Sequence, residues 1–150
     1  MLHLLYALAL LLLLCISAFA SFGDIVGMPS DYGRDNEAHT VAAFLEENGL
    51  EYGYATFRNS NLLTPLTDSR VKVRGIAVSS EDGIYTDLYQ SSSRWYDESE
   101  HGKYEKYFIL LSESEYNAIA ETGSWRELTS SAGVAEELRC GGWHVFVLRS

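Results

Sequence analysis

The sequence predicts an α/β fold: an N-terminal transmembrane-length helix, then a small mixed-sheet domain with helices covering the sheet and a β-hairpin at its C-terminus. Three observations predict it. The first twenty residues carry no formal charge, and every Lys, Arg, Asp and Glu lies after Gly23. Beyond residue 35, an amphipathic pattern with helical spacing is followed by short runs rich in aromatic and β-branched residues, and the two kinds of segment alternate. The last two such runs are joined by Gly141-Gly142, a favoured two-residue hairpin turn.

The apolar segment, residues 1–22, contains only His3, Ser17 and Ser21 as polar residues. A spanning helix needs about 20 apolar residues, and this run reaches that length. A cleaved signal peptide is a second reading. Ala18-Phe19-Ala20 before Ser21 fits a small-x-small cleavage site, but the basic start is missing. The lack of Lys and Arg also removes the cue that orients a lone anchor. A third reading makes the segment the last helix of a longer multi-span protein. Residues 23–35, with Gly23, Gly27, Pro29 and Gly33, read as a connector, and residues 36–150 as one extracytoplasmic domain.

Composition bounds the partners. The chain has 11 Lys and Arg against 21 Asp and Glu, a net charge of −10. Nucleic acid is therefore not an expected partner, since phosphate backbones are bound by clustered cations. Ten Tyr, six Phe and three Trp supply enough bulk for a real core. The two cysteines, Cys15 and Cys140, fall in different parts of the chain, and no CxxC or HExxH spacing occurs. No cofactor is expected, as neither a Walker sequence nor a G-x-G-x-x-G is present.

The elements follow in order. Residues 37–47 place Ala38, Val41, Ala42 and Leu45 on one helical face, with Asp35 or Asn36 as cap and Asn48-Gly49 as stop. Residues 52–57 read as a strand. Residues 58–61 read as a turn, or as the cap of a short helix through Leu62, Leu63 and Leu66, with Pro65 tolerated in its first turns. Residues 71–78 form a second strand, and Ile84 to Leu88 a short strand or loop. A polar loop then runs to Lys103. Residues 106–111 are apolar enough for a strand covered on both faces. Ser112 and Glu115 make a capping box for a helix that stops near Gly123. Residues 135–140 and 143–148 form the closing hairpin.

The chemistry-bearing candidates are few. Four histidines exist, His3, His39, His101 and His144, and no G-x-S-x-G elbow accompanies them. The acids Glu81-Asp82 and Asp97, Glu98 and Glu100 are read as solvated loops; a small hydrolase using Asp97, Glu98 and His101 is the weakest alternative. The distinctive stretch is residues 52–73. It sets polar groups at the C-terminal end of a strand, where α/β sheets commonly bind ligands. Thr56, Arg58, Asn59 and Asn61 are the ligand-binding candidates there, with Tyr54 and Trp95 as candidate stacking surfaces for a sugar. The plainer reading gives Asn59 or Asn61 to a helix cap, Arg58 to an ion pair and the aromatics to the core.

Gly49-Leu50, Tyr52-Gly53-Tyr54-Ala55-Thr56-Phe57, Asn59, Asn61, Leu63-Thr64, Leu66-Thr67 and Val71-Lys72-Val73, followed by Trp95-Tyr96, the strand 107–111 and the helix start at Ser112, carry a resemblance. The chain resembles the C-terminal extracytoplasmic domain, with the last transmembrane helix, of bacterial multi-span membrane glycosyltransferase-like proteins related to protein mannosyltransferases. The resemblance covers roughly the whole chain, and its pattern is mostly structural. It implies a membrane-tethered accessory domain of a glycosyltransferase-like envelope protein, a truncated or split C-terminal part. Expected partners are the lipid bilayer and a multi-span membrane protein, a glycan or a lipid-linked sugar. Those enzymes keep their catalytic acid in a loop far upstream, so the resemblance transfers no catalytic residue here. The alternative is an independent secreted or anchored glycan-binding protein with a cleaved signal.

Overall fold

In a computed structural model of the chain, residues 2–27, 36–88, 91–97, 99, 103–131 and 133–149 are described. The connector residues 28–35 and the loop residues Glu98, Glu100 and His101 lie outside them. The chain divides into two units, Met1–Asp35 and Asn36–Ser150.

The first unit is one helix, α1 (Leu2–Val26). Its stretch Tyr6–Gly23 has a mean hydropathy of 2.2 with none of its residues buried. At 1.5 Å per residue, its 25 residues extend about 37 Å, enough to cross a bilayer's hydrocarbon core. A signal sequence has the same character. The helix continues past the expected boundary at Phe22 and runs to Val26.

The second unit is a mixed α/β domain. Its elements are α2 (Glu37–Glu47), β1 (Tyr52–Thr56), α3 (Phe57–Leu66), β2 (Lys72–Ser79), β3 (Gly83–Thr86), a 3₁₀ turn (Ser93–Tyr96), β4 (Lys106–Ser112), α4 (Glu113–Ile119), α5 (Gly123–Ser131), β5 (Val134–Cys140) and β6 (Trp143–Arg149). The six strands form one sheet in the order β3-β2-β1-β4-β6-β5. β1 is parallel to both β2 and β4, and the remaining pairs are antiparallel.

Each face of the sheet has its own core. On one face Ala55, Val73, Phe108, Leu110, Val145 and Val147 meet Val41, Ala42 and Leu45 of α2 and Leu63 of α3. On the other, Tyr52, Tyr54, Ile109, Leu111, Phe146 and Leu148 are covered by Ile119, Trp125, Tyr96 and Tyr104. The strand 107–111 is thus buried on both sides, as its unbroken apolar run requires. Gly53 sits opposite Phe108 in the β1–β4 register, and a Cβ at Gly53 would lie 2.5 Å from the Phe108 ring. The glycine makes room for that ring.

Local chemistry sets the element ends. Asn36 Oδ1 accepts from the His39 amide at 3.1 Å and caps α2. Gly49, with φ of +60°, closes α2 in the left-handed region while the Leu50 amide donates to Leu45 O at 2.9 Å. At α4 the capping box is complete: Ser112 Oγ accepts from the Glu115 amide at 3.3 Å, and the Ser112 amide donates to Glu115 Oε2 at 2.7 Å.

Thr64 of α3 and Thr67, its C-cap, bind the helix to the strand that follows. The Val71 amide donates to Thr67 Oγ1 (3.2 Å), which itself donates to Leu63 O (3.0 Å). The Val73 amide donates to Thr64 Oγ1 at 2.9 Å. β3 pairs with β2 only from Ile76 onward, so these hydroxyls serve amides that no neighbouring strand reaches.

Two differences from the sequence expectation stand out. α5 occupies residues 123–131, where a helix stop and unassigned chain are expected; Trp125 and Leu128, three apart, turn toward the sheet. α3 starts at Phe57, directly after β1, rather than at the asparagines.

Candidate functional site

The structure divides the expected ligand-binding residues into two groups. Thr56, Arg58, Asn59 and Asn61 lie at the C-terminal end of β1 and along the first turns of α3. Arg58 and Asn61 are exposed, and Asn59 Nδ2 donates to Thr56 Oγ1 at 3.0 Å. Neither asparagine is the cap. Thr56 holds the N-cap position without a side-chain cap bond, and Asn59 steadies it from the first turn. At that end of the sheet Asn59 and Thr56 pair with each other, while Arg58 and Asn61 face solvent.

Tyr54 and Trp95 form the second group and come together on the other face. Tyr52 and Tyr54 are alternate residues of β1, so both project to one side. Both hydroxyls donate to the backbone carbonyl of Trp95, at 2.9 and 3.3 Å. This shared acceptor fixes the 3₁₀ turn onto the sheet. Tyr104 stacks on Tyr52 at 4.8 Å between ring centroids, and Tyr54 meets Tyr96 and Tyr107 at 6.1 Å. Tyr96 Oη bonds Gly75 O and Ser91 Oγ, which anchors the other end of the turn. Burial pushes the Tyr54 phenol well above its usual range, with Tyr52 adding to the shift; burial also raises Tyr107. Both remain neutral hydroxyls at physiological pH.

Beside this cluster runs an open groove of about 250 Å³, whose lining includes Tyr54, Ile76, Ile84, Tyr96, Tyr107 and Leu128. It crosses four strands of the sheet between the 3₁₀ turn and α5. Its walls are mostly apolar, with tyrosine rings at the rim, the general composition of a small-molecule cleft.

His144 on β6, the one buried histidine among the described residues, belongs to a cluster that sequence reasoning did not assemble. Its Nε2 is 2.7 Å from Glu113 Oε2 on α4 and its Nδ1 is 3.0 Å from Glu137 Oε1 on β5. Arg139, directly opposite His144 in the β5–β6 register, reaches Glu137 at 3.2 Å and Glu113 at 3.6 Å. Tyr116 covers the imidazole with centroids 4.4 Å apart. The imidazole thus lies between two carboxyl groups, each ring nitrogen within hydrogen-bond distance of one of them. The hydrogen bond from His144 holds the Glu113 carboxyl below the usual glutamate range, with Arg139 contributing. The ring is 1% exposed and neither nitrogen is open to a substrate. The cluster binds β5, β6 and α4 together; it is not poised as a general base. In the sequence its members are 113, 137, 139 and 144, and only the β5–β6 and β4–β6 pairings reveal that they meet.

His39 lies partly exposed on α2, and His101 is outside the described residues. Among the described residues no group of three or more His, Cys, Asp or Glu could hold a metal ion. Cys140 is a buried free thiol whose pKa burial raises, with Glu37 adding to the effect. No family model, no curated protein and no solved structure matches the chain.

Proposed function

We propose that this chain is a membrane-tethered extracytoplasmic accessory domain of a glycosyltransferase-like envelope protein, with no catalytic centre of its own. The observation that carries the reading is α1: an uncharged stretch with mean hydropathy 2.2 and no buried residue, joined to a domain that holds the chain's charge. Such a helix has a lipid bilayer as its natural solvent. The residue resemblance of the domain to the tail of multi-span glycosyltransferase-like proteins gives the tether its context. The locked state of His144 and the local pairing of Thr56 with Asn59 support a supporting role over a chemical one. The domain's task is then to cap a transmembrane partner and help position a glycan or lipid-linked sugar.

Extraction with alkaline carbonate tests the tether. Full-length chain should stay in the membrane pellet, and recovery of it in the soluble cytosolic fraction would refute the proposal. Ala18-Phe19-Ala20 favours a second reading, an independent secreted or anchored glycan-binding protein with a cleaved signal. An exported product whose N-terminal residue is Ser21 would select it.

A further inference from the structure

Arg74 is a charged side chain of this domain held over an aromatic ring. It lies on β2 opposite Tyr54, and its guanidinium carbon sits 4.6 Å above the Trp95 ring. Among the described residues it has no hydrogen bond and no ion pair, although the chain carries almost two acids for each base. Its Nε is buried without a hydrogen-bond partner. The two Nη atoms are not walled in as Nε is, and they form the open end of the fork above the indole. The contact with the Trp95 ring holds the guanidinium beside the 3₁₀ turn, and the two tyrosine bonds to the Trp95 carbonyl hold the backbone of that turn on the sheet.

A second cation stands beside it. Lys72 is two residues earlier on the same strand, hence on the same face and about 6.6 Å away along the backbone. Its Nζ donates to Tyr104 Oη at 3.3 Å. The Tyr104 hydroxyl accepts that bond, so its own hydrogen is free to donate outward. Two positive charges and a phenol donor on one sheet face match a dianion with several acceptor oxygens better than a single carboxylate. The apolar groove shares Tyr54 with this cluster, and Tyr96 on its rim is the residue after Trp95.

From this arrangement we infer that Arg74, Lys72, Tyr104 and Trp95 form a binding site for a phosphate monoester, whose apolar or aromatic body lies in the neighbouring groove. Arg74 grips the phosphate through both Nη atoms, and Lys72 and Tyr104 take the remaining oxygens. The site does not depend on how the chain is tethered.

The test uses the full chain in neutral detergent, titrated calorimetrically with phenyl phosphate, inorganic phosphate and phenol. Phenyl phosphate should bind saturably and about tenfold more tightly than inorganic phosphate, with phenol weaker than either. Arg74→Gln should lower phenyl phosphate affinity by about tenfold or more, and Arg74→Lys should restore only part of it, since an ammonium cannot form the fork. Lys72→Gln should cost about threefold to tenfold. The circular dichroism melt of each variant serves as the folding control. Repeating the titration in phosphatidylcholine nanodiscs with and without phosphatidate separates the sources. Loss of phenyl phosphate binding when phosphatidate is present assigns the site to a lipid headgroup, and unchanged binding assigns it to a free phosphate ester. Absence of saturable binding by the folded wild type, or equal binding by folded Arg74→Gln, overturns the inference.

Discussion

His144 and Glu113 meet at 2.7 Å, and through this contact the last strand of the sheet holds the first residue of α4. Glu137 takes the other ring nitrogen, so three elements close on one imidazole. Removing the ring would leave the two carboxylates facing each other beside Arg139 and strip Tyr116 and Phe146 of a stacking partner. His144→Ala should destabilise the domain by about 2–4 kcal/mol, read as a lower urea midpoint. A change within error would mean the cluster contributes nothing.

The same contact sets a pH dependence. The folded state holds the Glu113 carboxyl below its ordinary range, chiefly through the His144 bond. In the window between the folded and unfolded values, the unfolded chain binds more protons, so stability rises with pH there. The contribution is complete above the ordinary glutamate range and is lost as pH falls through the folded value. Because Glu113 is exposed, the effect should be small. The stability difference between wild type and Glu113→Gln should therefore be largest near neutrality and shrink on acidification. A difference that is constant from neutral to strongly acid pH would contradict this.

Thr67 is 1% exposed, and its hydroxyl joins the end of α3 to the start of β2. Thr67→Val keeps the shape and orphans the Val71 amide, a loss of about 1–3 kcal/mol. Thr64→Val should do the same to the Val73 amide. Amide hydrogen exchange checks the mechanism directly: Val71 and Val73 should lose protection in the respective variants while Phe108 keeps its own. Unaltered exchange at both amides would remove the threonines from the account.

Gly53→Ala should cost about 1–3 kcal/mol, because the new methyl group enters the space of the Phe108 ring. The effect belongs to a pair. In a double-mutant cycle with Phe108→Leu, the combined loss should fall short of the sum of the single losses by about 0.5 kcal/mol or more. Simple additivity would show that the ring is not what excludes a side chain at Gly53.

Much of the fold was legible because its signals are local. The capping box at Ser112, the Asn36 cap and the Gly49 stop each act within five residues, and the structure realises all three. The apolar strand 107–111 announced its central place in the sheet. α5 was not legible: Gly123 reads as a stop, and Ser124, Thr129, Ser130 and Ser131 dilute a helical period carried by Trp125 and Leu128 alone. The expected site residues fall in two separate places. Tyr54 and Trp95 do meet, but through a hydroxyl and a carbonyl 41 residues apart, which no spacing reveals. Thr56, Arg58, Asn59 and Asn61 carry the residue types of a ligand site; the structure pairs Asn59 with Thr56 and leaves Arg58 and Asn61 exposed. Leu63-Thr64 and Leu66-Thr67, part of the resemblance, have a structural use in binding α3 to β2.

The most direct trial of the central claim is a protease accessibility assay on bacterial spheroplasts expressing the full chain with a C-terminal tag, combined with the mass of the membrane-bound product. The tethered reading predicts an intact mass that includes α1, and a tag that is lost when protease is added from outside. A tag protected until the cells are lysed, or an uncleaved chain floating free of the membrane, would contradict it.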